Sequence, residues 1–183
     1  MNPLKPNNLF VEKPSVSGEQ RSMKRSMRLA VKAKWGEIEK IRNKSSRFLE
    51  SHGLTSDSVQ ALTMVISELI ENSMKYGKFT PQKNKVTVDI HVDEDMVIAE
   101  IINPIDETAY KHLKELDKRI QWIRGYQDPF QAYAERLKEV SKKPLSDEES
   151  GLGLTRIAYE GKAILDFFLD EDDLLNVSAV ANF

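Results

Sequence analysis

The chain has 183 residues, with a charged fraction of 31% and a hydrophobic fraction of 40%, the balance of one soluble globular domain with a substantial core. No apolar run reaches the roughly 20 residues that span a bilayer. With no Cys, a disulfide framework, a thiolate nucleophile and Cys-ligated zinc are all excluded. The net charge of −2 is unevenly spread: residues 1–42 carry ten Lys/Arg against four Asp/Glu, and residues 144–183 carry two against nine.

Residues 1–20 are rich in Pro, Asn and Ser and read as a mobile N-terminal arm, leaving 21–183 as the folded domain. The first eight residues lack the apolar core of an export signal, so a cytoplasmic location is expected. Arg21, Lys24, Arg25, Arg28, Lys32 and Lys34 form a basic cluster. Aromatics are scarce there and no nucleic-acid motif appears, so a solvated strand edge or a partner-docking patch is expected rather than a nucleic-acid surface. Residues 28–33 predict a first strand. Residues 35–51 predict a helix with Ile38, Ile41, Phe48 and Leu49 on one side, stopping at His52-Gly53.

Residues 58–76 contain no Gly or Pro, and Val59, Leu62, Ile66, Leu69 and Ile70 recur at helical spacing. They predict a second helix with one apolar arc. Residues 85–92 and 96–102 flank a turn at Asp93–Asp95 and predict a hairpin. Tyr110, Leu113, Leu116, Ile120 and Ile123 then mark a third helix. Asp128-Pro129 supplies an N-cap and a helix-start proline, and Phe130, Tyr133, Leu137 and Val140 mark a fourth. The apolar stripes of this helical pair are expected to be core packing. A short helix over 154–160 and a second hairpin, 163–169 with 174–180, close the chain. His52, His91 and His112 are dispersed, so a His-based metal site has weak support.

Two stretches carry chemistry. In the second helix Glu68 and Asn72 stand at i and i+4 on one face, with Lys75 on the same side. One amide oxygen from Asn72 is enough to anchor a nucleotide-borne Mg²⁺, which keeps waters and phosphates as its other ligands. Glu68, one turn earlier, is placed to accept a proton from an attacking water or hydroxyl. The plain alternative is an amphipathic helix with a Glu71–Lys75 surface pair. The second stretch is Ser150-Gly-Leu-Gly-Leu154. Gly151 and Gly153 let the backbone approach a ligand closely, and the helix that follows offers free N–H groups to phosphate. The plain alternative there is a flexible loop before a capped helix.

Taken in this order, Glu68-Leu-Ile-Glu-Asn72-Ser-Met-Lys-Tyr-Gly77 and Gly151-Leu-Gly-Leu154 resemble the N box and the second glycine box of the GHKL (Bergerat-fold) ATP-binding family. Within it the chain is most similar to the bacterial anti-sigma-factor serine kinases. The resemblance implies an α/β (α+β) two-layer sandwich: a mixed, mainly antiparallel sheet with helices on one face and a helical insertion in the ATP lid, about residues 106–150. It implies Glu68 as general base and Asn72 as Mg²⁺ ligand. It implies an ATP site that also draws on Lys75, Asn103 and residues Ser150, Gly151, Leu152, Gly153 and Leu154. Asn103 stands where the family's first glycine box has an adenine-reading aspartate, and that box's two glycines are absent. An Asn side chain both accepts from and donates to an adenine edge; Asp106, three residues on, is the other candidate. The implied function is an ATP/Mg-dependent serine/threonine kinase of bacterial partner switching. Its implied partners are a STAS-domain antagonist, a sigma factor or both, and a homodimer is compatible with it. The alternative is a non-catalytic protein-binding regulator that keeps the fold with a degraded nucleotide site.

Overall fold

The computed structural model describes residues 25–142 and 151–183. The expected arm at 1–20 and the expected site residue Ser150 lie outside the described residues, as do Arg21 and Lys24 of the basic cluster. The chain runs β1 (Arg25–Lys32), α1 (Ile38–Ser51), α2 (Ser56–Tyr76), β2 (Lys85–Val92), β3 (Met96–Pro104), α3 (Tyr110–Arg124), α4 (Pro129–Ser141), α5 (Gly153–Tyr159), β4 (Ala163–Leu169) and β5 (Leu174–Asn182). Single 3₁₀ turns precede α1 and α3. No helix among the described residues is long and apolar enough to cross a membrane.

The five strands form one sheet in the order β1-β2-β3-β5-β4. All its pairings are antiparallel, so the sheet is more uniform than the mixed one expected. The reason is topological. The long α3–α4–α5 excursion returns the chain to the far edge, and β5 folds back between β3 and β4. Strands β3 and β4 therefore point the same way without touching.

Alternation fixes which face is covered. Leu29, Val88, Ile101, Val177 and Phe167 line up across the sheet on the inner face. Arg28, Asp89, Glu100, Ser178 and Asp166 line up one position over on the outer face. Val86, Val88, Ile90, Val97, Ala99 and Ile101 are buried, and the helices pack over them. The fold is an α+β two-layer sandwich. On the outer face Arg28 pairs with Asp89 at 3.4 Å, so part of the basic cluster serves the chain's own sheet.

Helix α2 is the central helix. Thr55 caps it, its hydroxyl oxygen accepting from the Ser58 N–H at 3.2 Å. The expected arc of Val59, Leu62, Ile66, Leu69 and Ile70 is buried. So are Thr63, Val65 and Ser73, because α2 touches the sheet, α1 and α5 at once. The stop of α1 is also as expected: His52 follows its last turn, with its ring Nδ1 2.6 Å from the Phe48 carbonyl. Gly53 takes a positive φ of 82°.

The α3–α4 hairpin forms with the expected start to α4: the Asp128 side chain accepts from the Phe130 N–H at 2.9 Å and Pro129 follows the cap. The expected stripes are only partly right. In α3, Ile120 and Ile123 are buried, but Tyr110 is 44% exposed. In α4, Phe130 and Leu137 are 48% and 45% exposed, and the buried residues are Ala132 and Arg136. Helix α4 packs on α5 with Ala132 buried and the Phe130 and Leu137 side chains about half exposed. Phe130 and Tyr133 instead sit beside Tyr159 of α5, with ring centroids 5.2 and 5.3 Å apart.

This division of faces sets an expected stability contrast. Ile66→Ala, in the core, is expected to lower unfolding free energy by about 2–5 kcal/mol. Ile164→Ala, at an outer-face position 67% exposed, is expected to change it by less than about 0.5 kcal/mol. Urea denaturation monitored by circular dichroism measures both.

Candidate functional site

A cleft of about 330 Å³ opens between α2, the ends of β3 and β5, the α3–α4 hairpin and the glycine turn. From α2 it takes Leu69, Asn72, Ser73 and Tyr76, and from β3 Ile101 and Asn103. Helix α3 contributes His112, Leu113, Leu116 and Arg119, α4 contributes Arg136, and Gly151, Gly153 and Leu154 complete it. Its size is in the range of small-molecule sites.

The cleft has two unlike ends. Tyr76 is the last residue of α2, and its ring lies 5.3 Å from that of His112 near the start of α3. The apolar Ile105 and Ala109 adjoin this end. Leu69 lies two turns back along α2, about 10 Å away. There Gly153 packs directly on α2: a methyl group on Gly153 would fall 2.5 Å from Glu68 Oε2 and 3.8 Å from Asn72 Nδ2. Gly151 has a positive φ of 58°, and a methyl group there would collide with the Arg136 guanidinium. Gly151 is favoured by its backbone conformation, and a side chain at either position would have to displace the end of Arg136 or Glu68.

Glu68 is not an isolated base. Arg156 Nη1, on α5, donates to its Oε1 at 2.6 Å, and Arg156 Nε donates to Glu160 at 3.1 Å. Burial pushes the Glu68 carboxyl above its ordinary value, and the Arg156 charge opposes that rise without cancelling it. A raised folded value means that the proton stabilises the fold below the ordinary carboxyl range. That contribution is lost as the pH rises through the raised value.

Asn72 lines the cleft as expected. Among the described residues no group of three or more His, Asp or Glu is arranged to hold a metal ion. Among the described cleft residues Asn72 offers one side-chain amide oxygen to a cation. Such a site suits Mg²⁺ whose other ligands are phosphates and waters. Lys75 is not in the cleft wall; its ammonium lies 5.6 Å from the Tyr76 ring centroid. Leu152 is outside the wall too, its carbonyl accepting from the Arg156 N–H at 2.9 Å and the Thr155 hydroxyl at 2.8 Å.

Asn103 is 2% exposed and lines the cleft. Its Nδ2 donates to the Pro104 carbonyl at 3.2 Å. Strand β3 continues through Asn103 and Pro104, paired to Leu175 and Leu174, so the backbone stays extended where a glycine box would turn. Asp106 is exposed and caps the turn before α3, accepting from the Thr108 N–H at 3.0 Å and hydroxyl at 2.6 Å. It does not line the cleft.

Sequence reasoning missed Arg156, Arg119, Arg136, Tyr76, His112 and Ser73 as site residues. Ser73 lines the cleft, and its buried hydroxyl has no hydrogen-bond partner among the described residues. Arg156 was within reach of sequence reasoning as the cation just beyond the glycine turn. Its pairing with Glu68 bridges 88 positions, which no spacing rule covers.

No family model matches the chain, and no curated protein matches it. Its fold is shared with a chain in the crystal structure of the SiaB–SiaC complex from Pseudomonas aeruginosa. The TM-score is 0.67 at 20% identity, over 86% of this chain and 90% of that one. The likeness shows the fold: a related chain architecture occurs in a two-protein complex.

The ion pair sets a titration that checks this geometry. Arg156→Gln leaves Glu68 with burial and no opposing cation, so its midpoint is expected to move up relative to wild type. Carbon-detected NMR of the glutamate carboxyls measures it. A midpoint that stays put or falls would mean that the pair does not hold Glu68.

Proposed function

We propose that the chain is an ATP- and Mg²⁺-binding regulator of the GHKL type, a serine/threonine kinase of the anti-sigma class that acts on a protein partner in bacterial partner switching. The observation that carries this reading is the convergence of Asn72, Asn103, Gly151 and Gly153 on one cleft, from segments up to 81 positions apart. The cleft's aromatic and apolar end suits a base, and its glycine end suits phosphates. The shared fold with a chain of a two-protein complex supports a protein partner, for which a STAS-domain antagonist or a sigma factor is the reading proposed.

On this reading Asn72 would hold Mg²⁺, which when bound supplies charge neutralisation at the phosphates. The residues fit that demand, since Asn72 lines the cleft beside the glycine turn and supplies a neutral amide oxygen. The Gly151–Gly153 backbone would lie along the phosphates, and the Asn103 amide would meet the base edge. Glu68 would take the proton from the acceptor hydroxyl. Its raised value suits a base that must also release the proton, and Arg156 keeps the carboxylate oriented.

A second reading is favoured by two specific observations. Glu68 is ion-paired at 2.6 Å, and β3 stays extended through Pro104 where the family turns on glycine. Both suit a binding module that holds a partner without turnover.

Calorimetry with ATP and Mg²⁺ followed by phosphotransfer separates the two. ATP is expected to bind, and Asn72→Ala to remove the Mg²⁺ dependence. Glu68→Gln is expected to leave affinity within a few-fold and to lower phosphotransfer by about 100-fold or more. Binding with no phosphotransfer by wild type to any candidate antagonist would select the binding module. No binding at millimolar ATP would remove the nucleotide reading.

For the base, ATP is expected to bind about tenfold or more tightly than GTP. Asn103→Ala is expected to erase most of that preference, and Asp106→Ala to leave it.

A further inference from the structure

The two edges of the sheet differ. At the β4 edge, Arg124 of α3 donates to the Leu165 carbonyl and pairs with Asp166 at 3.5 Å, so a side chain stands where another strand would pair. Strand β1 has no such cover among the described residues. All eight of its residues pair with β2 on one side, and the other side is an open edge.

The register says which backbone groups face that edge. The Ala33 N–H donates to the Asn84 carbonyl at 2.9 Å, one step beyond the paired Lys32 and Lys85. Hydrogen-bonded and non-hydrogen-bonded pairs alternate along an antiparallel ladder, so the odd positions of β1 bond to β2. Ser26, Arg28 and Ala30 therefore turn their N–H and C=O groups outward. The row closes at Lys32, whose carbonyl accepts from the Lys34 N–H at 2.8 Å.

The side chains of β1 add chemistry on both faces. On the inner face Met27, Leu29 and Val31 are partly buried against the core, and a strand laid alongside would complete their cover. On the outer face the Arg28 side chain is 71% exposed even though it pairs with Asp89. Lys32 stands directly opposite Lys85, and both are exposed. Like charges opposite one another across a ladder repel, and a carboxylate beside them relieves that repulsion. The same cations oppose pairing of β1 with β1 of a second copy, which would set one basic strand against another.

We propose that β1 is a docking edge for an extended segment of a partner protein that alternates apolar and acidic residues. The segment adds as a sixth strand, its backbone bonding to Ser26, Arg28 and Ala30. Its apolar residues continue the row of Met27, Leu29 and Val31, and its carboxylates lie beside Arg28 and Lys32. Backbone pairing supplies affinity, and the alternation of side chains sets the register. None of these residues lines the cleft, so the docking is independent of the nucleotide reading.

The test uses two short capped peptides, one alternating Glu and Val and one alternating Lys and Val, with the full chain. Fluorescence anisotropy reads binding, and amide hydrogen exchange reads strand pairing. Wild type is expected to bind the Glu peptide about tenfold or more tightly than the Lys peptide. At saturation the Ser26, Arg28 and Ala30 amides are expected to exchange more slowly by about tenfold or more, while the Leu29 amide, already in the ladder, changes little. Ala30→Pro removes one outward N–H and no ladder bond, and is expected to weaken the Glu peptide by about tenfold or more. Lys32→Glu leaves the backbone as it is and is expected to erase most of the preference for the Glu peptide. Equal binding of the two peptides by wild type, no binding at millimolar peptide, or binding without added protection at those three amides would overturn the proposal. Full protection of the same amides in the free chain would overturn it too, because the edge would already be occupied.

Discussion

The contact between α5 and α2 sets the site. Gly153 brings the start of α5 against the Glu68 carboxylate, and Arg156, one turn later, closes the ion pair from the same short helix. At the other end of α5, Gly161 packs against Val65 so closely that a methyl group would collide with it. Two glycines and one ion pair thus fix a seven-residue helix that has little stability of its own. The glycine side of the cleft depends on that attachment. The glycine turn is carried by α5, and Arg136 reaches the turn from α4.

The same attachment gives Glu68 two properties that pull against each other. Burial makes the carboxylate harder to ionise, while Arg156 makes its charge tolerable and fixes its direction. A carboxylate placed in this way is a stronger proton acceptor than an exposed one, yet it is engaged while Arg156 stays in place. Helix α5 thus begins at the glycine turn and carries the cation that holds Glu68.

Much of this architecture was legible in the sequence because it rests on local signals. Period-two alternation in residues 85–92, the turn at Asp93–Asp95, the gap without Gly or Pro at 58–76 and the Asp128-Pro129 start each act over a few residues. Each appears within a residue or two of its expected place. Legibility ended where tertiary packing chose between faces of a helix. In α4 the apolar spacing of Phe130, Tyr133, Leu137 and Val140 pointed to one face, and packing on α5 buried Ala132 and Arg136 instead. The site followed the same division. Asn72, Gly151 and Gly153, singled out by motif spacing, and Asn103, singled out by its place after a strand, line the cleft. Arg119, Arg136 and Arg156 were not singled out, since their roles come from partners in other elements. Lys75 shares the helix side of Asn72, but the next turn carries it beside Tyr76 and out of the cleft wall.

The central claim is that the cleft between α2, the α3–α4 hairpin and the glycine turn is the ligand site of the protein. Amide chemical-shift mapping on addition of ATP and Mg²⁺ tests it most directly. The account expects the largest shifts at the side-chain amides of Asn72 and Asn103 and at the backbone of Gly151 and Gly153, with the outer sheet positions Ser178 and Asp166 unmoved. Shifts confined to the outer face, or none at millimolar nucleotide, would contradict it.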